Sequence, residues 1–164
     1  MSQDVSQDEL RQRVRRYLEA HSVLTLATAG PQGPWAAAVF YAGDEHGLVF
    51  LSSPSTRHAS ELARQPRVAA TVQDDTADWA AIKGVQLEGT ATELQGNERD
   101  EAQRLYGRKF PLVAGGPGAP AAIAQALAKV RWYRLRPERL FFVDNSLGFG
   151  HRDELLLPGP SRPG

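Results

Sequence analysis

The stretch Ser52-Ser53-Pro54-Ser55-Thr56-Arg57-His58 sets hydroxyls, a guanidinium and an imidazole side by side. It follows the apolar run Leu48-Val49-Phe50-Leu51 and precedes a helical stretch that stops at Arg64, just before Pro66. Where a strand end leads into a helix start, unpaired N–H groups and the helix dipole favour an anion. Thr56 and Ser55 can cap that end or donate to a phosphate oxygen, and Arg57 can make a bidentate contact. A cation in the first helical turn works against the dipole, so Arg57 points to a nearby anion. Two readings stand at this level: an ordinary capped helix, and a phosphate site.

Other chemistries find little support. There is no cysteine, which excludes disulfides, thiolate metal sites and cysteine nucleophiles. The histidines at 21, 46, 58 and 151 are widely spaced and suggest no metal centre. No Gly-x-Ser-x-Gly, Walker or dinucleotide-binding glycine pattern occurs. Lys+Arg and Asp+Glu both number 19, so the net charge is zero and gives no general case for nucleic acid. No apolar run reaches the ~18 residues of a membrane span. The start of the chain lacks a basic and apolar leader, so the expectation is a soluble cytoplasmic protein without membrane partners.

The elements that must position Ser52–His58 follow from periodicity. Ser6-Gln7-Asp8-Glu9 has the form of a capping box, and Leu10, Val14, Tyr17 and Leu18 recur at helical spacing, predicting a helix over 6–20. Strands are expected from Val23, over 35–42 and over 48–52, joined by turns too short for parallel crossovers. Further strands are expected over 67–72, 81–94, 130–135 and 140–144, with Gly84 or Gly89 marking a bend. Asn97 is the expected cap of a helix running to Phe110, and Ala121 opens a short alanine-rich helix. This is a mainly β chain with short helices: one domain over 1–157, built on a six-stranded antiparallel barrel, with a disordered tail over 158–164. Trp35, Trp79 and Trp132 read as core or dimer-interface aromatics. Asp144-Asn145 reads as turn chemistry, and Gly148-Phe149-Gly150-His151 as a turn or a loop over a cleft.

Gly47 to Ser52, then Ser55-Thr56-Arg57-His58, Leu62, Gln65-Pro66-Arg67-Val68-Ala69 and Val85 to Ala91 together resemble the pyridoxamine 5′-phosphate oxidase-like superfamily of FMN-binding split β-barrels. The segment Leu140 to His151 is similar to a small bacterial branch of it. The resemblance implies a homodimer with FMN in a cleft between subunits. It implies that Ser52, Thr56, Arg57 and His58 hold the phosphate, that Ala38, Val39, Phe40 and Tyr41 lie along the flavin, and that Lys83 or Gly84 approaches it from the fifth strand. Two positions depart from the pattern: His58 stands where lysine is usual, and Ala36 where the oxidase tends to carry arginine. Each missing charge-assisted hydrogen bond removes about 1.5–3 kcal/mol of affinity. The expected function is therefore FMN binding, with flavin-dependent oxidoreductase chemistry on a small molecule as its enzymatic form. The alternative is a binding module of the same fold that holds haem, a deazaflavin or no cofactor.

Overall fold

The computed structural model describes residues 5–115 and 118–159. The first helix, α1 (Gln7–Ala20), starts as its sequence requires: the Ser6 hydroxyl accepts from the Glu9 N–H, and the Glu9 carboxylate accepts from the Ser6 N–H. Three strands follow, β1 (Val23–Gly30), β2 (Gly33–Asp44) and β3 (Gly47–Ser52). Then come α2 (Arg57–Arg64), β4 (Arg67–Gln73), β5 (Lys83–Glu93), α3 (Gly96–Lys109) and α4 (Ala121–Leu127). A long strand β6 (Arg131–Asp144) and a short β7 (Arg152–Leu155) complete the order. No helix among the described residues is long and apolar enough to cross a membrane.

All strand pairs are antiparallel, in the order β3-β2-β1-β4-β5-β6-β7. β3 also pairs with the first part of β6, Leu48 opposite Leu135 and Ser52 opposite Arg131, which closes six strands into a barrel. Closure removes the exposed edges that an open sheet would present. Alternate residues fill the interior: Leu24 and Leu26 from β1, Val85 and Leu87 from β5, Leu140 and Phe142 from β6. Helices plug opposite ends of this core. Leu10 and Val14 of α1 enter near the start of β5, where the Tyr17 hydroxyl donates to the Lys83 carbonyl. Ala59 and Leu62 of α2 enter near its other end, where the Ala91 N–H donates to the Pro66 carbonyl. A second cluster forms outside the barrel, where Ala102 and Tyr106 of α3 cover Val49 and Trp132.

Two elements differ from the sequence expectation, and β7 is one it lacked. The stretches 130–135 and 140–144 are one strand, because Pro137 sits opposite Gly89 at a bulge, after the pairing with β3 ends and before that with β7 begins. A residue without an N–H loses nothing there. Gly89 is thus the bending glycine: a Cβ would collide with the Arg136 carbonyl, whereas Gly84 lies in regular register. The helix α3 is not capped by Asn97; Gln95 is its N-cap, without a side-chain bond, and Gly96 enters at φ +55°. Of the expected tail, Pro158 and Gly159 carry no regular structure, and 160–164 lie outside the described residues.

Candidate functional site

The start of α2 is ordered by hydroxyls. Thr56 is its N-cap and accepts from the Ala59 N–H at 3.3 Å while its own hydroxyl donates to the Ser53 carbonyl at 2.9 Å. Ser52, at the end of β3, lies 2.6 Å from His58 Nε2 and 3.2 Å from the Thr56 hydroxyl. His58 is buried, and burial lowers its pKa from the ordinary 6.5, with the Glu61 charge pulling the other way. The imidazole at neutral pH is thus an uncharged member of a hydroxyl network.

Arg57 has an anion, and it is internal. Its Nε donates to Glu61 Oε1 at 2.8 Å, one helical turn on, and its terminal nitrogen donates to the Gly33 carbonyl at 3.3 Å. The guanidinium lies 4.6 Å from the centre of the Trp35 ring. Glu61 is buried, and its second oxygen accepts from the Thr28 hydroxyl at 2.5 Å. The Thr28 bond first, then Arg57, hold its carboxyl below the ordinary range. Glu61 and Thr28 escaped the sequence reading, although Arg57 and Glu61 stand at the i,i+4 spacing of helical ion pairs. A Cβ on Gly30 would run into the Glu61 side chain, so the β1–β2 turn closes directly over this carboxylate.

The second group of expected residues divides by strand alternation. Ala38 and Phe40 point outward from β2, and Phe40 is 58% exposed. Val39 packs partly against the core, and Tyr41 is fully buried with its hydroxyl on the Leu18 carbonyl. Only the backbone of these two can face a ligand outside the barrel. Across the sheet, Ala38 stands beside Thr25, Thr25 beside Thr71, and Thr71 beside Gln86. The neighbouring row is Ala36, Ala27, Ala69 and Glu88. The outer face of β2-β1-β4-β5 is therefore a shallow floor of alanine and threonine about 14 Å wide, three strand spacings. Gly84 reaches the same face of β5, whereas Lys83 turns to the other side, with Nζ 3.6 Å from Asp144. Lys83 and the Ser52 network lie at opposite ends of β6, since Lys83 is paired with Asp144 and Ser52 with Arg131. One chain thus brings together Ser52, Thr56 and His58 as one hydroxyl–imidazole cluster, with Arg57 turned to Glu61, Gly33 and Trp35 beside it, and Ala38, Phe40 and Gly84 as one face.

The tryptophans differ among themselves. Trp132 is in the α3 cluster. Trp79, in a short 3₁₀ turn over 79–81, is 68% exposed and stacks on Phe149, itself 78% exposed, at 5.8 Å. Asn145 ties the two loops, donating to the Trp79 carbonyl and accepting from the Gly150 N–H. Among the described residues no three metal-ligating side chains gather.

Comparison with known proteins agrees with this architecture. The solved structure of HutZ, the heme storage protein from Vibrio cholerae, superposes with a TM-score of 0.67 at 22% identity, over 80% of this chain and 92% of that one. A FAD-binding protein from Mesorhizobium loti gives 0.59 at 20% identity, over 79% and 89%. Both show the fold. The UPF0306 protein Ent638_3591 of Enterobacter sp. (strain 638) is 34% identical over 141 residues, 85% of this chain and 91% of that protein. The family model described as pyridoxamine 5′-phosphate oxidase matches residues 10–144, from the first core leucine of α1 to the last residue of β6. With barrel, motif order and match in agreement, the chain belongs to the pyridoxamine 5′-phosphate oxidase family, alongside the UPF0306 proteins.

Proposed function

We propose that the protein is a homodimeric flavin-binding protein that takes FMN across the alanine–threonine face, with the phosphate toward the start of α2. The observation that carries this reading is the face itself: small side chains from β2, β1 and β4 leave room for a planar ring, with Gln86 and Glu88 of β5 at its margin, and Ala38, Phe40 and Gly84 share it. A second copy of the chain over Val23 and Phe40, both exposed, forms the other wall of the cleft. Arg57 and the N–H groups of the first turn of α2 supply donors to the phosphate, since the Thr56 hydroxyl is spent on the Ser53 carbonyl. His58 adds none of the charge that lysine would, and Arg57 shares its guanidinium with Glu61. The phosphate therefore adds little to affinity, and FMN binds only about tenfold more tightly than riboflavin, ~1.4 kcal/mol. Bound flavin supplies two-electron chemistry at its ring, while the chain orients it and excludes water.

Two observations favour a haem reading. The cluster at α2 is mostly neutral hydroxyl and imidazole, and a structural neighbour is a heme storage protein. Titration of the purified protein with FMN, riboflavin and haemin separates the two. Saturable quenching of FMN fluorescence with a modestly weaker riboflavin curve supports the flavin reading. A Soret band that saturates at one equivalent, without flavin quenching, replaces it with haem.

A further inference from the structure

On the α1 side of the sheet, away from the alanine–threonine face, lies a groove of about 510 Å³. That is within the usual range for small-molecule sites, roughly 300–1,000 Å³. Arg13 and Arg16 stand on one rim, one helical turn apart on α1, and Lys83 of β5 on another. The floor is aromatic. The Tyr17 ring meets Phe142 edge-on at 5.4 Å, and its hydroxyl bond to the Lys83 carbonyl, 3.0 Å, fixes its tilt. Leu147, half exposed, closes one end.

The charges in this groove do not balance. Its one carboxylate, Asp144, is fully engaged: Oδ1 accepts from the Ser146 N–H at 3.0 Å and the Ser146 hydroxyl at 2.5 Å, and Oδ2 lies 3.6 Å from Lys83. The next carboxylate along, Asp74, is taken by His21 Nε2 at 2.5 Å. Arg13 and Arg16 have neither ion pair nor hydrogen bond among the described residues, whereas Arg15 between them in sequence is bonded to Glu19 at 2.8 Å. Two guanidiniums without counter-ions beside a fixed aromatic floor suit a ligand with a charged head and a flat apolar body.

We propose that this groove is a binding site for a small amphipathic anion: an aromatic body against Tyr17 and Phe142, with a carboxylate, sulfonate or phosphate head held by Arg13 and Arg16. Because both arginines lie across the sheet from the flavin face, the test is independent of the flavin titration. The probe is the aromatic sulfonate 8-anilinonaphthalene-1-sulfonate, followed by fluorescence, beside its uncharged analogue N-phenyl-1-naphthylamine. The folded wild-type protein binds the sulfonate saturably and at least tenfold more tightly than the uncharged analogue. The double variant Arg13→Gln, Arg16→Gln loses at least tenfold in sulfonate affinity, and Arg15→Gln keeps wild-type affinity. Glutamine is a good helix former and Arg16 is exposed, so α1 persists; an unchanged melting temperature checks this. Equal binding of the two probes, or undiminished sulfonate affinity in the double variant, overturns the proposal.

Discussion

Glu61 holds Arg57 with one carboxylate oxygen and Thr28 with the other, so the residue that should read a phosphate is already reading a carboxylate. A dianionic phosphate approaching α2 meets that negative charge at close range. Glu61→Gln keeps the shape and removes the charge, and FMN affinity is expected to rise about tenfold while riboflavin affinity stays level. Equal changes for the two ligands would remove Arg57 from phosphate recognition. His58 gives a pH signature. Its folded pKa lies below the ordinary 6.5, so the unfolded chain takes up this proton first as pH falls. The stabilisation is complete above about pH 6.5 and is lost as pH falls through the folded value. The urea midpoint should therefore drift down as pH falls below about 6.5, and His58→Asn, which keeps a hydrogen-bonding side chain without the titration, should flatten that drift. The motif Ser52–His58 was legible because hydroxyls, a cation and a helix start are local features. The Arg57–Glu61 pair, one turn apart, was also within local reach, but Gly33 on the guanidinium and Thr28 on the carboxylate were not, because both reach the pair only through the fold.

At the scale of elements, local rules succeeded where the signal is local. The Ser6–Glu9 capping box and the short turns between β1, β2 and β3 all appear in the structure. Pro137 misled for a physical reason: proline breaks strands whose N–H is needed, and here neither neighbour needs it. The strand β7 was missed because Arg152-Asp153-Glu154-Leu155 is short, charged, and buries only Leu155 fully. The bulge opposite Pro137 makes Gly89 a stringent position. Gly89→Ala drives a methyl into the Arg136 carbonyl, and urea denaturation should show a loss of about 1–3 kcal/mol. Gly84→Ala lets its neighbours yield by tenths of an ångström and should cost less, since a Cβ there meets the Val72 carbonyl at 3.0 Å.

For the whole molecule, barrel closure was foreseeable from six strands on short connections, but the alanine–threonine face was not. Ala36, Ala37 and Ala38 alone read as bland strand; only register sets Ala36 in a row with Ala27 and Ala69, and Ala38 in a row with Thr25 and Thr71. That face carries the dimer proposal. Phe40→Glu puts a charge at its rim, where the side chain is exposed and its ring contact is with Phe110 at the end of α3. Light scattering should report twice the chain mass for the wild type and the monomer mass for the variant, with unchanged circular dichroism and lost FMN binding. A wild-type monomer that binds FMN would show that one chain completes the site.

The Gln7 side chain joins the two ends of the described fold: its amide donates to the Glu154 carbonyl and accepts from the Leu156 N–H, and Arg11 reaches the Leu156 carbonyl. Those partners are separated by 147 residues in the first of these bonds. During synthesis at ~5–20 residues per second, roughly 7–30 s pass between the emergence of α1 and that of its anchor. Through that interval the apolar stripe of Leu10, Val14 and Tyr17 has no barrel to cover. The nascent helix is thus a ready client for chaperones, and the arginines on its other face keep it soluble while it waits.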